Sequence, residues 1–363
     1  MIPLRPAIRA DGTVLRRLAS LVSAVAILVL TLPAAARPPA DPVPASYAAR
    51  AEVRAFIDQM VDEHGFDRAA LRRLFAQARY QRSIIAAMER PLSLPPKWYD
   101  YAPPFLAGGR VEAGAAYWTA HADELARAEE RFGVPAEIVV AIIGVETFYG
   151  RNTGKFRTLD ALATLAFDYP RRAAFFRGEL KQFLLLAREL GMAPLTAKGS
   201  FAGALGIPQF MPGSYRSFAV DFDGDGRADL WASPADIVGS VANYLARHDW
   251  QPGQPVLLAA AIADETRDSV LRRLDGGLSE RRAVDAWAVD GVTLADAPEG
   301  LAPDPVGLLL LEEKAAGVEV DSIWIACNNF YVLTRYNRSR LYAAAVWELA
   351  KAIKAARAAS GPG

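Results

Sequence analysis

One apolar helix constrains how this chain can fold more than any other feature. Residues 138–147 read Ile-Val-Val-Ala-Ile-Ile-Gly-Val-Glu-Thr, so a helix here is apolar on every side until its last turn. Such a helix must be buried, and other elements must therefore pack all round it. The chain has 363 residues, of which 52% are apolar, which is ample material for a core of that kind.

The rest of the chain also reads mainly as helices. Helical spacing of apolar residues covers 46–89, 111–131, 135–147, 172–190, 235–248 and 338–358. Prolines end the first pattern, and residues 97–106 predict an ordered aromatic loop. Residues 250–325 are less regular and predict a small lobe. No alternating segment is long enough to suggest a large sheet, so the predicted fold class is mainly α.

The first segment has the pattern of an export signal. Arginines precede an apolar run over residues 18–30, and Ala34 and Ala36 fit a small-x-small cleavage pattern. We therefore expect a signal peptide over 1–36 and a flexible lead-in over 37–48. A membrane anchor is the second interpretation, because serines interrupt the run and it falls short of the ~20 residues that span a bilayer. No cysteine follows the run, so we expect no lipid anchor and, after processing, no stable transmembrane anchor.

Charge and cysteine content exclude several classes of function. Basic and acidic residues both number 41, so the formal net charge is zero, which does not suit phosphate-driven binding to nucleic acid. The single cysteine, Cys327, allows no intrachain disulfide and no cysteine-based zinc site. The three histidines, His64, His121 and His248, form no close pair, so a histidine metal site is not expected either.

Glu146 is the candidate catalytic acid. It stands in the last turn of the apolar helix, where burial without a cation favours the protonated form near neutral pH. A neutral carboxylic acid can protonate the oxygen of a glycosidic bond. A helix cap or a surface ion pair is the structural alternative and, for an isolated glutamate, the preferred one. Most glycosidases use two carboxylates, and the sequence shows no second acid at a matching spacing.

A glycine-rich segment over 199–212 is a candidate binding loop. Its glycines permit close approach of a ligand, and Ser200 and Gln209 supply polar groups. The spacing differs from that of nucleotide-binding loops. A tight packing turn between helices is an equally good interpretation.

Residues 221–229 match the first nine positions of an EF-hand loop. Acids fall at positions 1, 3, 5 and 9, and a glycine stands at position 6. Position 12 is Ala232 where a bidentate glutamate is usual, but Asp236 could close a longer loop. We expect a structural calcium site rather than a solvated turn.

Aromatic and amide residues cluster in 328–342. Rings can stack on a pyranose, and amides can bond its hydroxyl and acetamido groups. Ordinary core packing is the preferred interpretation for Phe330 and Tyr331.

Together these segments resemble the membrane-bound lytic murein transglycosylase B family, whose core is related to goose-type lysozyme. The stretches that carry the resemblance are 142–150, 159–172, 199–212, 221–231, 239–244 and 329–347. The resemblance implies a lysozyme-like catalytic region over 49–358 and a tail over 359–363. Within that region it implies a helical lobe, a core lobe at about 132–250 joined by the C-terminal helix, a small lobe at about 250–325 and an EF-hand-like calcium loop.

The same resemblance assigns roles to residues. It makes Glu146 the only catalytic acid. Its saccharide-lining positions are Tyr101, Phe175, Ser200, Gln209, Tyr244, Tyr336, Asn337 and Tyr342. Phe175 stands where relatives often have a tyrosine and brings no hydroxyl. The implied ligands of Ca²⁺ are Asp221, Asp223, Asp225, the Arg227 carbonyl and Asp236.

The implied reaction is cleavage of peptidoglycan by a lyase. Glu146 protonates the oxygen between N-acetylmuramic acid (MurNAc) and N-acetylglucosamine (GlcNAc), and the C6 hydroxyl then attacks C1 to leave a 1,6-anhydro end. The expected partners are periplasmic glycan strands, with other cell-wall enzymes as a further class, and no organic cofactor is needed. A lysozyme-type hydrolase and a catalytically silent wall-binding protein are the two alternatives.

Overall fold

The structure is a computed structural model that describes residues 46–89, 96–295 and 298–359. The predicted signal peptide lies outside these residues, as do most of the lead-in and all of the tail except Ala359. The end of the lead-in, which we predicted to be flexible, is instead part of the fold. Tyr47 is buried there, and its hydroxyl donates a hydrogen bond to the Asp168 carboxylate at 2.6 Å.

The first described segment consists of short helices. They are a 3₁₀ helix (Tyr47–Ala49), α1 (Ala51–His64), α2 (Arg68–Ala76) and α3 (Arg82–Met88). The helical pattern predicted over 46–89 is therefore broken at three points. Gly65 ends α1 with a φ of 64°, and the Asp67 side chain caps α2 by accepting a hydrogen bond from the Ala70 amide at 2.6 Å.

Four helices follow before the apolar helix. They are α4 (Trp98–Tyr101), α5 (Pro103–Leu106), α6 (Arg110–Ala120) and α7 (Ala122–Phe132). The first two lie in the segment predicted as an ordered loop. The pattern predicted as one helix over 111–131 is divided at His121, whose φ of −127° and ψ of 36° are not helical.

The apolar helix is α8 (Ala136–Thr147), and it is buried as its sequence predicts. Nine of its twelve residues are buried, and α6, α7, the helix Pro234–Ala246 and the C-terminal helix surround it. Burying each Val or Ile side chain contributes roughly 1.5–3 kcal/mol. The last turn of this helix is therefore fixed on several sides, and that turn carries Glu146.

Helices and one short strand pair occupy the chain between α8 and residue 246. They are β1 (Phe156–Arg157), α9 (Thr158–Asp168), a 3₁₀ helix (Pro170–Arg172), α10 (Ala173–Glu189), β2 (Lys198–Gly199), α11 (Pro212–Phe218) and α12 (Pro234–Ala246). The two strands pair antiparallel, with Phe156 opposite Gly199. This pairing fixes the start of the glycine-rich loop.

Residues 257–326 form a sheet with two short helices. Its elements are β3 (Leu257–Ile262), α13 (Arg267–Leu271), β4 (Leu274–Asp275), β5 (Leu278–Ser279), α14 (Val284–Val289), β6 (Val292–Leu294), β7 (Gly307–Ala315) and β8 (Val318–Ala326). The six strands pair antiparallel in the order β4-β5-β7-β8-β3-β6. The prediction that no large sheet would form is therefore wrong.

Two helices complete the described chain, α15 (Asn328–Tyr336) and α16 (Arg340–Ala359). Most buried side chains form one large core around α8. A second apolar cluster lies on the sheet and includes Trp287, Leu308 and Ile325. Among the described residues, no helix is both long enough and apolar enough to cross a membrane.

Candidate active site

A cleft of about 800 Å³ lies at the end of α8. Seven residues that we predicted for the site line it: Glu146, Phe175, Ser200, Gln209, Tyr244, Tyr336 and Asn337. They come from five separate parts of the chain, so the fold assembles what the sequence spreads over almost two hundred positions.

Glu146 is partly buried, and Tyr342 is its hydrogen-bond partner. The Tyr342 hydroxyl donates to Glu146 Oε1 at 2.6 Å. Burial raises the pKa of Glu146 to about 7, and the bond from Tyr342 opposes that rise. Near neutral pH this carboxyl group can therefore both give up and take back a proton.

The two residues that follow α8 have an unusual backbone conformation. Phe148 and Tyr149 follow Glu146 closely and both have positive φ, 52° and 57°, which costs about 1–3 kcal/mol for each residue. The Tyr149 ring fills a notch between two glycines, because a Cβ on Gly114 or Gly144 would lie within 2.5 Å of its hydroxyl. That hydroxyl also donates to the Arg110 carbonyl at 2.9 Å. Tight packing thus compensates for strain beside the carboxylate.

Thr147 ties α8 to the glycine-rich loop. Its hydroxyl donates to the Ile207 carbonyl at 2.9 Å and accepts from the Gly150 amide at 3.0 Å. Within the loop, a Cβ on Gly199 would meet the Ala204 carbonyl oxygen at 2.1 Å, so only glycine fits that close approach. The loop and the acid are therefore held in a fixed relative position.

Ser200 and Gln209 each keep one hydrogen-bonding function available to the cleft. The Ser200 Oγ accepts from the Ala202 and Ala204 amides at 3.2 and 3.0 Å, which leaves its proton to be donated. The Gln209 Nε2 donates to the Gly206 and Thr153 carbonyls at 2.7 and 3.2 Å, which leaves its Oε1 to accept. The loop therefore offers one donor and one acceptor on a rigid backbone.

Three aromatic side chains of the predicted set pack next to one another. The Tyr244 and Tyr336 ring centroids lie 4.9 Å apart, and those of Tyr336 and Tyr342 lie 6.4 Å apart. Backbone carbonyls accept from two of the hydroxyls, with Tyr244 donating to Arg335 at 2.7 Å and Tyr336 to Pro208 at 2.6 Å. These two residues therefore face the cleft mainly through their rings.

Phe175 lies in the cleft, whereas Tyr101 lies near Glu146 outside the cleft lining. Phe175 is 43% exposed in the cleft, with the Arg172 guanidinium 4.5 Å from its ring centroid. Tyr101 is not among the described residues that line the cleft, but it lies close enough to Glu146 for burial and that carboxylate to raise its pKa. Tyr101 and Tyr342 thus approach the acid itself rather than the cleft wall.

Sequence reasoning missed several charged residues of the cleft. Arg172, Arg335, Arg338 and Glu179 all line it. Glu179 is a second carboxylate in the cleft, where our sequence analysis found none. Burial raises its pKa, and the Gly213 amide donates to it at 2.8 Å. The sequence around Glu179 gave no sign that it belongs to the cleft, because only the packing of α10 against α11 brings it to the cleft.

The acidic loop gathers three of its predicted metal ligands. Carboxylate oxygens of Asp221, Asp223 and Asp236 lie within 4.8 Å of one another. Asp236 is fully buried, and its two oxygens accept from the Phe222 and Asp229 amides at 2.6 and 2.7 Å. This set of hard oxygen donors around a curled backbone fits the chemistry of Ca²⁺.

Asp225, the fourth predicted carboxylate ligand, is not part of this group. Asp225 accepts a hydrogen bond from the Arg227 amide at 2.9 Å, and the Arg227 guanidinium pairs with Asp229 at 3.1 Å. Both residues are exposed on the loop. The structure therefore brings together three carboxylates of the predicted set, and Asp225 stays outside them.

The family follows from comparison with known proteins. Residues 48–351 match the model of the family described as transglycosylase SLT domain. This chain belongs to that family. The membrane-bound lytic murein transglycosylase B of Escherichia coli is 42% identical to this transglycosylase over 311 residues, which is 83% of this chain and 82% of the relative.

Two solved structures extend the comparison. Lytic transglycosylase Slt35 of Escherichia coli in complex with calcium is 42% identical, with a TM-score of 0.77 over 86% of this chain and 95% of that one. SltB3 of Pseudomonas aeruginosa in complex with NAG-NAM-pentapeptide is 31% identical, with a TM-score of 0.72 over 84% and 79%. The predicted family and the mainly helical, lysozyme-like fold class are therefore confirmed.

Proposed function

We propose that this lytic murein transglycosylase cleaves the β-1,4 bond between MurNAc and GlcNAc with Glu146 as its only acid and base. The observation that carries the proposal is the environment of Glu146: a pKa of about 7 in a cleft lined by aromatic and amide side chains. A carboxyl group with that pKa is suited to two opposite proton transfers at neutral pH.

In the first step Glu146 protonates the glycosidic oxygen. Burial keeps part of the enzyme in the protonated form near neutral pH, and the Tyr342 hydroxyl stabilises the carboxylate that results. The bond from C1 of MurNAc to the leaving oxygen then breaks with its electron pair on oxygen. The acetamido carbonyl of the same sugar can stabilise the cationic C1.

In the second step the same carboxylate takes the proton from the C6 hydroxyl. The oxygen attacks C1 from within the same ring, and a 1,6-anhydro bond forms without a water molecule. The donor on Ser200 and the acceptor on Gln209 can bind the carbonyl and N–H of the acetamido group. Holding the ring in this way favours internal attack through proximity.

The cleft suits a glycan strand. Phe175 offers an exposed face for stacking on a sugar, and Asn337 offers an amide at the rim. The resemblance of the chain to SltB3, which was solved with NAG-NAM-pentapeptide, supports peptidoglycan as the ligand. We further infer that the enzyme acts in the periplasm, where the export pattern of residues 1–36 would direct it.

A hydrolase is the second candidate, and Glu179 is the observation that favours it. A hydrolase of the two-carboxylate type needs a base to activate water, and Glu179 lines the same cleft as Glu146. Under our proposal Glu179 is not such a base, since the C6 hydroxyl replaces water. The mass and reducibility of the released muropeptides distinguish the two reactions.

Glu179→Gln should therefore retain activity within about threefold of the wild type and give the same products. Glutamine can still accept the hydrogen bond from the Gly213 amide. Loss of a true general base would instead cost ~10²–10⁴-fold. The rate on purified sacculi is compared with that of Glu189→Gln, a matched change on the same helix where the carboxylate pairs with Arg216. A loss of a hundredfold, confined to Glu179, would favour the hydrolase.

We also propose that Asp221, Asp223 and Asp236 hold a structural Ca²⁺. The EF-hand spacing, the gathered carboxylates and the likeness to the calcium complex of Slt35 support it. The ion would fix the loop before α12, and its proposed role involves no step of the reaction.

Calcium should raise the melting temperature. At a concentration about 100-fold above its Kd, binding to the folded state alone adds ~2.7 kcal/mol. Asp223→Asn should lose most of this increment, whereas Asp321→Asn, an exposed acid that pairs with Arg267 on the sheet, should keep it. Calorimetry with calcium and with a chelator measures the melting temperatures of both variants and of the wild type. Equal melting temperatures for the wild type under the two conditions would refute the site.

A further inference from the structure

Arg340, the first residue of α16, joins the sheet to the active-site helix. Its Nη1 donates to the Leu310 carbonyl on β7 at 2.7 Å, and its Nη2 lies 3.2 Å from Glu312 on the same strand. Its Nε donates to the Gly276 carbonyl in the turn between β4 and β5. Only 12% of the side chain is exposed. Two segments of the sheet, β7 and the turn between β4 and β5, thus hold one guanidinium.

The turn between β4 and β5 is shaped to admit this group. Gly276 and Gly277 have φ values of 57° and 86°. A Cβ on Gly277 would lie 2.5 Å from the Arg340 Cζ, so the guanidinium rests directly against the glycine backbone. Such close packing restricts where the first turn of α16 can lie.

Tyr342 stands two residues later on the same turn. Residues i and i+2 of a helix point about 200° apart, so Arg340 faces the sheet while Tyr342 faces α8. The Tyr342 hydroxyl donates to Glu146, and the Ser339 Oγ accepts from the Tyr342 amide at 3.3 Å. The first turn of α16 is therefore clamped between the sheet and the catalytic acid.

Glu312 also contacts the short helix that carries Tyr101. Its carboxylate lies 3.4 Å from the amide of Trp98, the first residue of α4, and α4 ends at Tyr101. Trp98 is buried, which anchors that short helix. The ion pair of Arg340 and Glu312 thus touches both segments whose tyrosines approach Glu146.

We propose that Arg340 is a positioning residue, through which the sheet holds the Tyr342 hydroxyl on Glu146. The proposal rests on the function proposed above for Glu146. It gives the sheet a role in catalysis although the sheet supplies no described residue to the cleft lining. Arg340 is not among the described residues that line the cleft, and under this proposal it acts only through the placement of Tyr342.

The effect of losing Arg340 has a definite direction. The hydrogen bond from Tyr342 lowers the pKa of Glu146, so a loosened Tyr342 lets that pKa rise. The protonated acid then persists to higher pH, and the alkaline limb of kcat/KM moves up. The carboxylate formed in the first step is less stable, so kcat falls while KM for the glycan changes little.

The test compares Arg340→Gln, Arg340→Lys and Tyr342→Phe on defined glycan strands. We expect Arg340→Gln to lower kcat about tenfold, less than the hundredfold that a full misplacement can cost, and to leave KM within twofold. The alkaline limb of its kcat/KM profile should move in the same direction as that of Tyr342→Phe. Arg340→Lys should restore part of the lost kcat. Arg273→Gln removes a pair with Asp290 between two connecting segments of the same region, 257–326, and should change none of these values.

The double variant separates positioning from general destabilisation. If Arg340 acts through Tyr342, Arg340→Gln should add almost nothing in the Tyr342→Phe background. Fully additive losses, or an unchanged pH limb in a folded Arg340→Gln enzyme, would overturn the proposal. Should that variant fail to fold, Glu312→Gln keeps the bonds from Arg340 to Leu310 and Gly276, and its alkaline limb should move in the same direction by a smaller amount. Activity retained by Glu146→Gln would instead refute the proposed function.

Discussion

Glu146→Gln should abolish cleavage of the cell wall while the protein stays folded and still binds glycan. Glutamine has nearly the same shape and can still accept the hydrogen bond from Tyr342. It cannot donate a proton to the leaving oxygen or take one from the C6 hydroxyl. General acid-base catalysis contributes ~10²–10⁴-fold at each transfer, and a single carboxyl group performs both here. The expected residual rate is thus well below one percent.

The measurement is release of soluble muropeptides from purified sacculi, with binding to the sacculi and thermal unfolding measured in parallel. Glu137→Gln is the matched control, because Glu137 stands in the first turn of the same helix and pairs with Lys354 at the surface. That control should keep full activity. If Glu146→Gln retained more than a few percent of the wild-type rate, another group would have to supply the proton.

Sequence reasoning succeeded where the physical constraint is local. A helix that is apolar on every side has to be buried, and burial of its last turn favours partial desolvation of a carboxyl group there. Both statements hold in the structure, where burial raises the pKa of Glu146 to about 7. The acidic loop is similar, because its spacing alone brings Asp221 and Asp223 close to each other.

The sheet escaped prediction because its pairing is not local. β7 begins as an unbroken apolar run, Gly-Leu-Leu-Leu-Leu, which periodicity alone does not distinguish from buried helix. The turn at Ala316 and Gly317, where φ is 50° and 83°, carries an alanine where a glycine or asparagine is the usual sign of a hairpin. Central pairing of β3 with β8 joins residues more than sixty positions apart.

The hydrogen-bond partner of the acid also depended on the fold. Tyr342 and Glu146 are separated by 196 positions, and their bond exists because α16 packs along α8. The sequence placed Tyr342 among sugar-lining residues by resemblance, whereas in the structure it bonds Glu146. Glu179 and the arginines of the cleft show the same limit, since they become site residues only where separate elements meet.

The products should carry non-reducing 1,6-anhydro ends. Hydrolysis requires a water molecule held by a base, and Glu179 is the further carboxylate that the described residues bring to the cleft. Ser200 and Gln209 instead offer uncharged groups, one donor and one acceptor, that suit an acetamido group. Such a site holds the sugar for attack by its own C6 hydroxyl, which proximity favours over water.

Mass spectrometry of the digest provides the measurement. Each new MurNAc end should be about 18 Da lighter than its hydrolytic counterpart, the mass of the one water that hydrolysis would add. Borohydride should leave these ends unchanged, whereas a muramidase digest of the same sacculi serves as the reducible control. A majority of reducible ends would assign the enzyme to the hydrolases and would make Glu179 the first candidate for the base, even with Glu146 still acting as the acid.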